Sequence, residues 1–330
     1  MTKALVTGAT GFLGRHTVRR LIQLGWEVSA LGRSREAGEQ LKRDGAVFMA
    51  QDLRNTAEII RSCAGQDYVF HCGALSSPWG KYSEFYGCNV EGTRNIVAGC
   101  LKHGVGRLIH ISTPSVYFNY QNRLGLSEEA ELALKPANAY AATKRLAELE
   151  VERAASSGLV SVILRPRAIF GPMDNALFPR ILSVNEGKGV PLLDGGIALI
   201  DLTYVDNVVD AMLLGSSAPD AATGRIYNIS NGEPMPFVEL LTSLFAKLDI
   251  PLHTRSVSYR TAHLAAGLLE GLHRLLPGLG EPALTRYSVG SLALSQTLDI
   301  SLARSLLGYE PRITVAEGLQ NFADWWREQK

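Results

Sequence analysis

Cysteine is scarce: 4 residues in 330, at Cys63, Cys72, Cys88 and Cys100, with no Cys-x-x-Cys pair among them. Such scatter argues against a disulfide framework or a zinc site, and it predicts free thiols in a reducing compartment. An excess of one charge sign is missing too. Lys and Arg total 33 against 32 Asp and Glu, for a formal net charge of +1. A dedicated nucleic-acid binder would carry a basic face, so no nucleic-acid partner is expected. No run of about twenty uncharged apolar residues occurs, so no transmembrane span is predicted. The chain runs straight into its first apolar stretch, Ala4-Leu5-Val6, with no secretory signal before it, and a cytoplasmic location is expected. Internal repeats and low-complexity segments are absent.

What is present is an apolar complement of 46%, enough to build a full core in one large domain or two coupled ones. Apolar runs fall at 3–7, 26–31, 46–50, 67–71, 107–112 and 160–164, with helical patterns near 12–24, 55–63, 83–103 and 138–157. Continuous apolar strands alternating with helices indicate a parallel sheet covered on both faces. Right-handed crossovers make it doubly wound. The expected fold class is therefore α/β, a doubly wound parallel sheet of the Rossmann type with a smaller, mostly C-terminal substrate domain. Segment 114–137 is polar with two prolines and is predicted as a loop over the site. After Arg165-Pro166 the pattern loosens, and Gly171-Pro172, Gly195-Gly196 and Asn231-Gly232 punctuate short elements. The expected nucleotide-binding domain is 1–166 plus about 201–230, returning to the sheet near 225–229. The substrate domain takes about 167–200 and 231–330.

Residues 7–14 read Thr-Gly-Ala-Thr-Gly-Phe-Leu-Gly directly after the first strand. Gly8 allows a tight turn, Gly11 lets the backbone approach a pyrophosphate, and Gly14 lets the following helix pack close. The phosphates then meet the positive helix N-terminus. The bland alternative is a glycine-rich turn. About twenty residues on, where an NAD site places a carboxylate for the ribose 2′-hydroxyl, the chain has Gly32-Arg33-Ser34-Arg35. A carboxylate would repel a 2′-phosphate, whereas Arg33 can pair with it and Ser34 can donate to it. NADP(H) is the expected cofactor, with NAD(H) the alternative. Asp52-Leu53, after strand three, is placed to meet the adenine.

Tyr140-Ala-Ala-Thr-Lys144 puts a phenol and an ammonium on one helix face. Free tyrosine titrates near 10 and is a poor base at neutral pH. A cation about 4 Å away favours the phenolate by an amount on the order of 4 kcal/mol before desolvation is subtracted. Strand five ends Ile111-Ser112-Thr113, at the carboxyl edge where such sheets bind ligands. Alternation lets only one of the two hydroxyls point inward. Tyr140 would be the acid or base for a carbonyl or alcohol.

These residues resemble the extended short-chain dehydrogenase/reductase family over nearly the whole chain. Thr7-Gly8-x-x-Gly11-x-x-Gly14, Asp52-Leu53, His71-Cys72-Gly73-Ala74, Asn89, Ser112-Thr113, Tyr140-x-x-x-Lys144, Arg165-Pro166 and Tyr204-Val205-Asp206-Asn207 all stand in family order. The resemblance implies Thr113, Tyr140 and Lys144 as the catalytic set. It also implies a cofactor site of Gly8, Thr10, Gly11, Phe12, Leu13, Gly14, Arg33, Ser34, Asp52, Leu53, Gly73, Ala74, Asn89, Tyr140, Lys144 and Pro166, with no metal. A homodimer through helices near 90–103 and 140–157 is implied as well.

Within the family, sugar-nucleotide epimerases often carry Asn where this chain has Ala168. Dehydratases follow the catalytic threonine with Asp-Glu, where this chain has Pro114-Ser115. Leu164-Arg-Pro, Ile169-Phe-Gly-Pro and Tyr204-Val-Asp-Asn are similar instead to the 3β-hydroxysteroid dehydrogenase-like branch. Ser112-Thr-Pro-Ser-Val116, Arg165-Pro-Arg-Ala-Ile-Phe-Gly-Pro172 and Leu284-Thr-Arg-Tyr287 together resemble bacterial β-keto-acid reductases of olefin biosynthesis and their sterol-dehydrogenase relatives. The expected activity is hydride transfer between NADP(H) and an apolar ketone or secondary alcohol, a β-keto acid or a 3-hydroxysteroid-like molecule. The alternative is an NAD-dependent sugar-nucleotide epimerase. Arg167, Arg180 and Arg286 are the scattered candidates for binding a diphosphate. Leu264, Leu268, Leu269, Leu272, Leu275 and Leu276 share one helical face. That face reads as a cap on the substrate-domain core, an apolar substrate wall, or a peripheral membrane contact.

Overall fold

Seven short strands form one parallel sheet in the order Arg225–Ile229, Ser161–Pro166, Arg107–Ile111, Tyr68–His71, Lys3–Thr7, Glu27–Gly32 and Val47–Ala50. The computed structural model describes residues 1–329. Ala4, Leu5, Val6, Val69 and Phe70 are fully buried, because helices cover both faces and a parallel strand has no solvent side. The strand order reverses between Lys3–Thr7 and Tyr68–His71. The loops leaving their carboxyl ends diverge there, and a crevice opens for a ligand. The strand Arg225–Ile229 returns from the C-terminal half and pairs with Ser161–Pro166.

The helices Phe12–Gln23, Thr56–Ser62 and Ala139–Ala155 lie where the apolar period predicts them. The expected helix at 83–103 is interrupted by a wide turn, Tyr86–Glu91, before Gly92–His103. A helix at Arg35–Arg43 was not predicted. It buries only Gly38 and Leu41, too few residues to form a visible stripe, and Ser34 caps it by accepting from the Ala37 amide at 3.2 Å.

Two expectations are corrected. Segment 114–137 is not all loop: Arg123–Leu126 is a strand that pairs with Gln296–Leu298 in a four-stranded sheet with Leu199–Ile200 and Met235–Pro236. Gly125 at φ 60° and an exposed Leu124 hide its period. The helix Tyr259–Leu275 does not cap a core with its leucines. It buries Ala262, Ala266 and Glu270, while Leu264, Leu268 and Leu275 are 70%, 77% and 81% exposed. Among the described residues, no helix is long and apolar enough to cross a membrane, and all four cysteines are free thiols.

Candidate active site

The turn after the first strand is shaped by glycine. Gly8 sits at φ 64°, and a Cβ there would stand 2.7 Å from the Gly73 Cα. A Cβ on Gly14 would collide with the Gly8 carbonyl oxygen. The turn, the loop after Tyr68–His71 and the helix Phe12–Gln23 therefore close on each other only without side chains. The free amides at the helix start face the crevice, the arrangement that takes a pyrophosphate.

His71 ties the two loops together. The Thr93 hydroxyl donates to the Asn89 carbonyl at 2.6 Å, so it accepts from His71 Nε2 at 3.0 Å. His71 Nδ1 then accepts from the Thr7 hydroxyl at 2.6 Å, and Thr7 accepts from the Gly73 amide at 3.1 Å. Both ring nitrogens are used by a neutral imidazole. Burial, with the Lys144 charge behind it, pushes His71 down to about 3.

The helix Ala139–Ala155 starts at Asn138, whose Oδ1 accepts from the Ala141 amide at 2.8 Å, and it presents Tyr140 and Lys144 one turn apart. A buried ion pair clamps this helix to the sheet. Glu148 and Arg165, 0% and 1% exposed, meet through two bonds of 2.7 Å. Ser112 donates to the same carboxylate at 2.6 Å. Ser112 and Thr113 both line one cavity with Tyr140. Ser112 is spent on Glu148, whereas the Thr113 hydroxyl makes no bond to the clamp and accepts from the Ser115 amide at 3.1 Å. Thr113 also donates to Ser115 Oγ at 3.0 Å, and Ser115 shares a 2.7 Å bond with Tyr287 Oη.

Lys144 is 2% exposed. Its ammonium donates to the Ile111 carbonyl and to His110 Nε2, and burial pushes it down to about 8. Burial raises the Tyr140 phenol above its ordinary range, opposed by the nearby Thr113 hydroxyl. The lysine's own bonds thus lead to the strand Arg107–Ile111. The sequence expectation had its charge acting on the phenol.

A cavity of about 1240 Å³ joins these parts, larger than a single small-molecule pocket. Gly8, Thr10, Gly11, Phe12, Leu13 and Gly14 line it, as do Arg33, Asp52, Leu53, Gly73 and Ala74. Thr113, Tyr140, Lys144 and Pro166 line its middle. The donor set and the side-chain-free cradle fit a dinucleotide. Two expected residues lie outside the lining. Ser34 is the helix cap described above. Asn89 is 1% exposed and braces the loop, accepting from the Leu75 amide at 2.7 Å and donating to the Leu75 carbonyl at 3.1 Å. Asp52 is gripped by Arg54 through bonds of 2.9 and 2.7 Å, which holds its carboxyl down at about 2. Beyond Tyr140 the lining is mostly apolar, with Ile181, Val190, Leu193, Phe237, Val289 and Leu292, but it also carries Asp174, Asn175, Arg180, Lys188 and Arg255. Sequence reasoning did not find the Glu148 clamp or the His110 contact. Each joins residues on separate elements, and no local spacing marks it.

The model of the NAD dependent epimerase/dehydratase family matches residues 4–230. The chain is 38% identical to the 2-alkyl-3-oxoalkanoate reductase of Stenotrophomonas maltophilia, over 96% of this chain and 97% of that one. It is 30% identical to the decarboxylating sterol-4-alpha-carboxylate 3-dehydrogenase of Mus musculus, over 96% of this chain and 89% of that one. Its fold is similar to the UDP-glucuronic acid 4-epimerase of Bacillus cereus, crystallised in complex with NAD. The TM-score is 0.80 at 21% identity, covering 100% of this chain and 97% of that one. The glycine cradle, the Tyr140–Lys144 helix and these likenesses agree: the chain belongs to the NAD dependent epimerase/dehydratase family and is an enzyme of its extended short-chain dehydrogenase/reductase type.

Proposed function

We propose that this enzyme is an NADP(H)-dependent oxidoreductase that interconverts an apolar ketone and a secondary alcohol, with Thr113, Tyr140 and Lys144 as its catalytic set. The observation that carries this reading is the shared cavity. The hydroxyls of Thr113 and Tyr140 line the same cavity as the side-chain-free cradle and a mostly apolar wall that includes Ile181, Val190, Leu193 and Leu292. The names of the two sequence relatives, one acting on a 3-oxoalkanoate and one on a sterol carboxylate, support the same substrate class.

The bound nicotinamide supplies or accepts the hydride. Tyr140 gives its proton to the substrate oxygen in reduction and takes it back in oxidation. A phenol raised by burial keeps that proton until the oxygen demands it. The Thr113 hydroxyl, turning its one proton from Ser115 Oγ to the same oxygen, polarises the carbonyl. Lys144, fixed by the Ile111 carbonyl and His110, keeps one N–H free that would donate to the cofactor ribose. Ketone, hydride and proton sum to the alcohol.

Arg33 on the cavity rim, with no acid at Gly32, supports NADP(H) over NAD(H). We further infer the two-domain division given above and a homodimer through Gly92–His103 and Ala139–Ala155. Free thiols support a cytoplasmic location. The test is NADPH oxidation with a panel of long-chain 3-oxo acids, sterol ketones and UDP-sugars. Turnover with the apolar ketones alone is expected. Tight retention of NAD and interconversion of UDP-sugars without net cofactor turnover would establish the epimerase instead.

A further inference from the structure

Leu264, Leu268, Leu272 and Leu275 of the helix Tyr259–Leu275 all stand in solvent, and so do Leu276 and Leu279 just past its end. Spaced three and four apart, the helical four make one stripe. The opposite face of the helix is already spent. Ala262 and Ala266 pack with Leu193 and Val289, and the Glu270 carboxylate accepts from the Arg286 amide and side chain. Among the described residues nothing covers the leucines. Single exposed apolar side chains are ordinary, but a contiguous row marks a contact surface.

The charges beside the row have one sign. Between His253 and Gly280 the chain carries Arg255, Arg260 and Arg274 against one carboxylate. That carboxylate is Glu270, buried and paired with Arg286 at 2.9 Å. The next acid, Glu281, is paired with Arg180 at 2.7 Å. At about 100° per residue, Arg260 and Arg274 fall along one edge of the leucines, and both are exposed. Arg274 also lies over the Trp79 ring at 5.7 Å. Along the other edge Thr261 and Ala265 are exposed and line the cavity, as do Arg255 and Lys188. The face is therefore a leucine row with cations on both sides, and the cavity opens beside it.

Charge selects the occupant. In a twofold contact the patch of one copy meets the same patch of the other, which would set Arg260 and Arg274 against their own counterparts. A layer of anionic headgroups over acyl chains matches both parts of the face: the guanidinium groups take the phosphates, and the leucines enter the apolar layer. Trp79 at the edge suits the boundary between the two, where indoles collect. No described helix is long and apolar enough to cross a membrane, so this one would lie in the plane of the surface.

We propose that the leucine face of the helix Tyr259–Leu275, with Arg260 and Arg274, docks on an anionic lipid bilayer. Because Thr261, Ala262 and Ala265 of the same helix line the cavity, docking sets the cavity opening next to the lipid. The docking does not depend on which reaction the cavity carries.

The test is co-sedimentation of the full chain with vesicles of phosphatidylcholine alone, or of phosphatidylcholine and phosphatidylglycerol in equal parts. The wild type should bind the mixed vesicles at least about tenfold more tightly than the neutral ones, and added salt should weaken that binding. Leu268→Gln combined with Leu272→Gln should lose at least about tenfold on the mixed vesicles with its Tm unchanged, since neither leucine packs on the fold. Arg260→Gln combined with Arg274→Gln should lose about tenfold there and little on the neutral vesicles. Should the leucine variant fail to fold, the arginine variant decides alone. No binding by the wild type, equal binding to both vesicles, or undiminished binding by the variants overturns the proposal. So does a wild type that ignores vesicles but forms a dimer in sedimentation velocity that the leucine variant loses; a second copy would then cover the face.

Discussion

His110 Nε2 lies 3.3 Å from Lys144 Nζ, and both groups are buried under the catalytic cavity. Burial and the lysine charge keep His110 neutral, so Nε2 accepts from the ammonium. In the proposed mechanism His110 would be a positioning residue, since it touches the lysine. Lys144 is already pushed down to about 8 by burial. A lysine that must be charged to work loses function as pH rises through that value. His110→Phe removes an acceptor that favours the charged form. The alkaline limb of kcat against pH should therefore move to lower pH, by about half a unit or more. A limb that stays in place would show that the contact does not tune the lysine.

The two buried histidines also predict an acid-sensitive fold. His71 titrates at about 3 and His110 well below its ordinary value, against about 6.5 for either in the unfolded chain. Above about 6.5 both states are neutral at these sites and the stability is intact. As pH falls below it, the unfolded chain binds protons that the folded chain refuses. Stability then drops by up to about 1.4 kcal/mol per pH unit for each histidine. The urea midpoint should fall between about pH 6.5 and about pH 5, a window above most carboxylate titrations. His110→Phe should flatten that slope, and an equally steep slope in the variant would place the effect elsewhere.

The Glu148–Arg165 clamp holds the helix bearing Tyr140 and Lys144 against two strands of the sheet. Glu148→Ala leaves a buried guanidinium facing a void. It should cost about 3–5 kcal/mol in urea unfolding. Glu148→Leu combined with Arg165→Met removes both charges and should recover much of that loss, since apolar replacement of a buried pair is often neutral. A double variant no better than the single would argue that the pair itself, and not the orphaned charge, carries the stability.

The parts legible in the sequence are those encoded by local spacing. The Gly8–Gly14 turn and the Tyr140–Lys144 repeat announce themselves within a few residues, and the run of apolar strands declares the parallel sheet. What stayed hidden joins distant elements: His110 to Lys144 across 34 positions, Arg123–Leu126 to Gln296–Leu298. The leucine helix shows a different limit. A 3.6-residue period defines a face but not the direction it points. Here small residues pack inward, with Ala262 and Ala266 buried, and the leucines face out. The Arg167 charge is visible in the sequence, but that its Nε has no hydrogen-bond partner among the described residues is a property of the folded chain alone.

Thr113 and Ser112 separate cleanly by their partners. Ser112 is engaged by Glu148 at 2.6 Å, whereas Thr113 donates to Ser115 Oγ at 3.0 Å and lines the cavity with Tyr140. Thr113→Ala should cut kcat by about a hundredfold or more, the scale of a lost oxyanion donor. Ser112→Ala should lower the Tm with kcat close to that of the wild type. The reverse ranking would put the strand register off by one.

Cofactor choice turns on the end of the strand Glu27–Gly32. An NAD site needs an acceptor for the ribose 2′-hydroxyl, and Gly32 offers no side chain. Arg33 lines the cavity there, and its charge helps hold the Asp52 carboxyl low. Ser34 Oγ already accepts from the Ala37 amide, yet its proton remains free to donate. A 2′-phosphate would meet a forked cation and a hydroxyl, both favourable. The pair lies at the surface, where solvent screening limits its worth, so the effect should be clear but not extreme. Arg33→Ala should raise KM for NADPH about tenfold and leave KM for NADH nearly unchanged. Added salt should weaken NADPH binding in the wild type more than in the variant, because only the wild type retains the arginine–phosphate attraction to be screened. A wild type that prefers NADH, or a variant that loses both cofactors equally, would reverse the assignment: Arg33 would then be shaping the loop, and the adenosine end would be read by Asp52 and its Arg54 partner instead.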